Sequence, residues 1–201
     1  MHVDKLIDYY LTPISPYVYL GHERFVAIAR RHGATVAVKP INLGVVFPVS
    51  GGLPLGKRAP QRQAYRLIEL ARWSRFLDVP LNLQPRHFPV SAEIASHFVL
   101  AALERSVDAA LDLTLALGRA VWTEERDIAD PATVRSIADA CGNDGAALAE
   151  RAGAPDIATR YAVLTQEAID RGIFGAPTYV YAGEPFWGQD RLDFLDRALA
   201  K

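Results

Sequence analysis

The hydrophobic pattern changes character twice along this chain. Residues 3–11 carry Val3, Leu6, Ile7, Tyr9, Tyr10 and Leu11 and read as a buried strand. Ser15 then suits an N-cap and Pro16 the first helical position, predicting a helix to about His32 that ends at Gly33. Thr35-Val36-Ala37-Val38-Lys39-Pro40 is a second, β-branched strand, and its connection through a helix predicts a parallel βαβ unit. Residues 42–60 break this regularity. Pro48, Gly51, Gly52, Pro54, Gly56 and Pro60 predict an irregular loop, and long loops in compact domains are often functional.

From about residue 61 to 172 the apolar period is helical almost throughout. It predicts segments over 62–76, from a Ser91 cap to about 104, over 107–122, from Asp130-Pro131 onward, over 144–152, and from Asp156 to Arg171. The end is strand-like again. Residues 178–181 and 184–186 read as a hairpin turning at Ala182-Gly183, and Asp190 is placed to cap a last helix over 191–200. The order βαβ, helical block, ββα predicts an α/β protein: a thioredoxin-like fold interrupted by a large all-α insertion. On this reading residues 1–60 plus 173–201 form a discontinuous thioredoxin-like domain, and 61–172 the helical insertion domain.

Composition narrows the function classes. Half of the 201 residues are hydrophobic, ample for one core, and the net charge of −1 gives no footprint for nucleic acid or anionic lipid. Lys57, Arg58, Arg62 and Arg66 form a local basic run whose last three members, four apart, would share a helix face. That face is either simply solvated or part of an anionic small-molecule site. Cys141 is the only cysteine, which excludes a disulfide framework and any CxxC redox or zinc motif. The five histidines show no ligand spacing, and no metal is expected. No leader pattern and no apolar stretch near the ~18 residues of a membrane span are visible, so the expected location is cytoplasmic.

The informative features are joint. Ser15-Pro16-Tyr17-Val18-Tyr19-Leu20 opens the first helix, while Phe174-Gly175-Ala176-Pro177-Thr178 and Phe186-Trp187-Gly188-Gln189-Asp190-Arg191-Leu192 flank the closing hairpin. Together they resemble the opening and closing signatures of 2-hydroxychromene-2-carboxylate isomerases, relatives of kappa-class glutathione transferases and, more distantly, of DsbA-type oxidoreductases. The resemblance runs over essentially the whole chain. It places a serine where the oxidoreductases carry their cysteine, so the site makes no disulfide of its own but can receive a thiol as ligand.

The resemblance implies a glutathione-dependent isomerase that works by transient thiolate addition to an aromatic-catabolism intermediate. Its cofactor is glutathione, its substrate a small aromatic carboxylate, and its assembly a homodimer. Ser15 is implied as the catalytic group, stabilising the thiolate. Ser15, Ala176, Pro177, Trp187, Gly188, Gln189 and Asp190 are implied as glutathione contacts. Two departures bear on the second substrate. Thr12 stands where many members have an aspartate, and Phe47-Pro48-Val49-Ser50 lacks the lysine that often meets the substrate carboxylate. Lys57, Arg58 and His87 are the candidates to bind substrate in its place. Two other readings compete: a kappa-like glutathione transferase, and a non-catalytic module that binds a thiol peptide.

Overall fold

The structure, a computed structural model, describes residues 5–201. Strand β1 (Leu6–Leu11), helix α1 (Pro16–Arg31) and strand β2 (Thr35–Pro40) form the expected unit, with β1 and β2 parallel. Positions 3 and 4 of the expected first strand lie outside the described residues. Strands β3 (Thr178–Tyr181) and β4 (Glu184–Trp187) make the hairpin, turning at Ala182 and Gly183 with φ of 49° and 83°. Two consecutive positive φ values give the turn whose twist matches paired strands. The sheet order is β2-β1-β3-β4, with β3 antiparallel to both neighbours.

Residues 42–60 are more ordered than their prolines and glycines suggest. They contain helix α2 (Leu43–Ser50) and a 3₁₀ turn, Leu55–Lys57. The Asn42 side chain caps α2 by accepting from Gly44 N–H at 2.9 Å. Fully buried Val46 anchors the helix in a cluster with Tyr10, Ile41, Ile173 and Val180. That burial outweighs the single bond lost at Pro48 inside the helix.

The helical region comprises α3 (Pro60–Leu77), α4 (Glu93–Arg105), α5 (Val107–Trp122), α6 (Pro131–Ala140), α7 (Gly145–Ala152) and α8 (Pro155–Asp170). Asp130 caps α6 as expected, accepting from Thr133 N–H at 2.9 Å. Two expected caps and one expected helix start shift. Ala92 rather than Ser91 occupies the α4 N-cap, although the Ser91 hydroxyl still accepts from Glu93 N–H at 3.3 Å. Pro155 rather than Asp156 opens α8. Asp190 caps nothing: Gln189–Arg191 is a 3₁₀ turn, helix α9 runs Leu192–Leu199, and the Asp190 carboxylate binds Arg191 at 2.8 Å.

The thioredoxin-like sheet and the helical insertion share one apolar cluster, from Ile7 and Tyr9 of β1 through Phe25 of α1 to Leu117 and Trp122 of α5 and Leu195 of α9. Tyr9 stacks on Tyr179 at 5.2 Å, and Phe25 closes on both rings, locking α1 to the two central strands. Buried Trp122 donates its indole N–H to the Ile14 carbonyl at 3.3 Å, so α5 fixes the loop that presents Ser15. On the other side of the sheet Lys39 bridges Asp8 (2.8 Å) and Glu167 (2.6 Å) while Arg171 meets Asp8 at 2.6 Å. These pairs tie α8 to β1 and β2. Burial and the hydrogen bond to Glu167 push the Tyr10 hydroxyl up to about 12, so it stays protonated within the network.

Candidate active site

Ser15 is held by both sides of its peptide. Its N–H donates to Thr12 O at 3.0 Å, and its extended backbone (φ −72°, ψ 126°) places the side chain over the start of α1. The hydroxyl accepts from Val18 N–H at 3.3 Å and donates to Ala176 O at 3.3 Å. The second bond is longer than a settled hydroxyl bond, so its proton is easily redirected. Ser15 is buried, and because Pro16 has no N–H while Val18 and Tyr19 donate to Ser15, only the Tyr17 N–H is left open in the first turn of α1.

The facing wall comes from the segment before β3 and the turn after β4. The Ala176–Pro177 peptide is cis, and Gly188 N–H donates to Pro177 O at 2.9 Å. Gly188 has φ of 106°, which side-chain-bearing residues rarely adopt, and a Cβ there would crowd Asp190 Oδ1, so the tight return of the chain requires glycine. The turn is pressed onto α1. A Cβ on Gly21 would lie 2.6 Å from Gln189 Cβ, and Arg24 donates to Gln189 Oε1 at 3.0 Å. Gln189 is 1% exposed, so its side chain positions the turn and leaves only backbone toward the site.

Two cavities meet at the Ser15–Ala176 contact. One, of about 340 Å³, is walled by Ala176, Pro177 and residues 187–190. Across it stand Tyr17, Arg58, Glu69 and Trp73. The other, of about 420 Å³, has Ser15 and Thr12 at its floor and the apolar groups Ile14, Leu43, Phe47, Leu55 and Phe88 around it. A third cavity of about 810 Å³ adjoins the first through Tyr17, Arg58 and Glu69 and is lined by Arg62 and Arg66. The geometry thus sets a cation-rich, hydrogen-bonding compartment beside an apolar one, with a hydroxyl and a helix N-terminus at their seam.

Residues 6–200 match the family model of the DSBA-like thioredoxin domain. The 2-hydroxychromene-2-carboxylate isomerase of Sphingobium xenophagum is 31% identical over 196 residues, covering 97% of this chain and 98% of that protein. The chain belongs to this DsbA-like isomerase family. A solved structure of a 2-hydroxychromene-2-carboxylate isomerase superposes with a TM-score of 0.76 at 25% identity, covering 97% of this chain and 94% of that one. The glutathione S-transferase kappa 1 of Caenorhabditis elegans is 35% identical over 80 residues, 39% of this chain and 35% of its own length.

For this family member the structure brings six of the residues singled out in the sequence, Ala176, Pro177, Trp187, Gly188, Gln189 and Asp190, around one cavity, with Ser15 bonded to Ala176 at its edge. Arg58 lines that cavity too, but it precedes α3 rather than sharing a helix face with Arg62 and Arg66. Lys57 and His87 line none of the three cavities. His87 Nδ1 instead lies 3.7 Å from Asp127 Oδ2. Tyr17, Glu69 and Trp73 were not singled out. Positions 62, 66, 69 and 73 fall on one helical face, and that spacing was the available signal. No group of three or more metal-ligating side chains stands together among the described residues, and no helix there is long and apolar enough to cross a membrane.

Proposed function

We propose that this protein is a glutathione-dependent isomerase that adds a thiolate transiently to a conjugated aromatic substrate. The observation that carries the reading is the position of Ser15: its hydroxyl crowns α1 at the seam of the two cavities and gives its proton to Ala176 O. An extended peptide paired with Ala176 supplies that carbonyl with a new N–H donor, which releases the serine proton to the incoming sulfur. Arg58 and Arg191 suit the tripeptide's carboxylates, and Glu69 and Asp190 its ammonium. The kappa-class relative is named for glutathione chemistry, which supports the same ligand.

A free thiol with pKa of about 8.5 is only about 3% thiolate at pH 7. The α1 N-terminus contributes about 0.3–1 kcal/mol and a charge-assisted bond from Ser15 about 1.5–3 kcal/mol, enough to lower the pKa by one or two units. In the reaction the thiolate forms an S–C bond to a conjugated carbon while the electron pair moves to the carbonyl oxygen. Rotation about the resulting single bond follows. The oxyanion then returns its pair, the S–C bond breaks, and glutathione leaves unchanged. The cytosol, which glutathione keeps reducing, is the compartment this chemistry suits.

The test is isomerisation of 2-hydroxychromene-2-carboxylate with and without glutathione, in the wild type and in Ser15→Ala. Turnover that ignores glutathione removes the mechanism. The 80-residue kappa-class match favours a transferase as the second reading, and a stable glutathione adduct in the product mass spectrum would select it.

A further inference from the structure

We propose that the electrophile taken beside Ser15 is an uncharged conjugated aromatic carbonyl compound, and that Glu93 selects against carboxylates in that cavity. The proposal rests on the glutathione reading above and narrows its second substrate.

The charge around the 420 Å³ cavity carries the argument. Among the described residues no lysine, arginine or histidine lines it, and the one carboxylate that does is Glu93, in the first turn of α4. The nearby arginines lie against aromatic rings and line a different cavity. Arg58 Cζ lies 5.9 Å from the Phe47 ring centroid and Arg66 Cζ 5.0 Å from that of Phe88. Both rings wall the Ser15 cavity, whereas both guanidiniums line the neighbouring 810 Å³ cavity. Arg58 is further held by its bond to Leu53 O at 2.8 Å.

Three helix N-termini border the cavity: those of α1 at Ser15, α2 at Asn42 and α4 at Ala92 and Glu93. Their partial positive charge is already divided. The Asn42 side chain takes the Gly44 N–H, Glu93 answers the α4 end, and the α1 end faces the sulfur. What remains steadies an oxyanion for the lifetime of an adduct but offers no counter-ion to a permanent carboxylate. The remaining polar lining is neutral, chiefly the Asn42 amide and the Tyr161 hydroxyl, groups that donate to a carbonyl oxygen. Glu93 is exposed, so water screens its repulsion of a second carboxylate to about threefold. The larger cost is that of a carboxylate leaving water for a largely apolar space with no counter-ion.

The experiment compares two cis-aryl enones that differ at one group: (Z)-4-phenylbut-3-en-2-one, a methyl ketone, and (Z)-benzylidenepyruvate, its carboxylate counterpart. Each kcat/KM is divided by the rate constant for isomerisation by free glutathione, which removes intrinsic reactivity. The expected ratio favours the ketone by about tenfold, chiefly because the carboxylate loses water without gaining a counter-ion, and Glu93→Gln lowers that ratio by about threefold. A wild-type ratio at or below one, or a ratio unmoved by Glu93→Gln, overturns the proposal. Glutathione bound with a lowered thiol pKa, but neither enone isomerised, overturns it while sparing the glutathione site. A calorimetric titration showing no glutathione binding takes down both.

Discussion

Gly21 links the packing of α1 to the ligand turn, and Gly21→Ala tests that link. The added methyl would sit 2.6 Å from Gln189 Cβ and 3.3 Å from both Gln189 Cα and the Tyr179 hydroxyl. Ordinary carbon contacts lie near ~3.5–4 Å, so roughly 1 Å has to be found. No side-chain rotation provides it, because two of the opposing atoms are the Cα and Cβ of a fully packed residue. The 188–190 turn must move off the helix. Overpacking of this kind costs about 1–3 kcal/mol, and the better helix propensity of alanine returns at most about 1 kcal/mol. The expected outcome is a net loss of about 1–2 kcal/mol in urea unfolding. Displacing the turn also misaligns its groups, and glutathione affinity should fall about tenfold by calorimetry, equivalent to 1.4 kcal/mol. Ser15 does not move, so the thiol pKa of whatever glutathione binds should stay at its wild-type value. A variant with wild-type stability and wild-type glutathione affinity would refute the claim that this contact positions the turn.

Ser15→Ala removes the α1 cap to Val18 N–H and should cost about 1 kcal/mol of stability. It should also raise the bound thiol pKa by about one or two units, read from thiolate absorbance against pH; an unchanged pKa assigns the serine a structural role only. Arg58→Gln should weaken glutathione binding by about tenfold or more and flatten its salt dependence, and equal affinity would remove Arg58 from the ligand compartment. Burial holds His22 down at about 4 against its ordinary 6.5, with the Tyr9 hydroxyl on its Nδ1 at 3.1 Å. Between those values the unfolded chain binds the extra proton and the fold does not. Stability from this residue is therefore complete above pH 6.5 and drains as pH falls toward 4, by about 3 kcal/mol. Urea midpoints across that window should show this slope, and His22→Gln should flatten it.

Much of the architecture was legible because it is written locally. The β-branched second strand, the Ser15-Pro16 helix start, the Asp130 cap and the Ala182-Gly183 turn each act through residues within a few positions of one another. The pair Ser15 and Ala176 was legible only jointly, since neither dipeptide alone distinguishes a site from ordinary punctuation. Helix α2 escaped because Pro48 and the flanking glycines argue against it locally, while the burial of Val46 that favours it comes from β1 and β3. Asp190 as a cap failed for the opposite reason: the local signal was present, but Arg191 took the carboxylate.

By itself the sequence determined the βαβ start, the ββα end and the serine at the head of α1, because capping, periodicity and turn chemistry are short-range. Only the tertiary structure decided which charges face which compartment. Arg58 and Arg66 lie against the rings of Phe47 and Phe88 and line the neighbouring cavity, while Glu93, some eighty residues on from Ser15, lines the cavity of Ser15 itself. Electrostatics depends on distance in space and on the rings packed between charges, and neither is encoded by spacing along the chain.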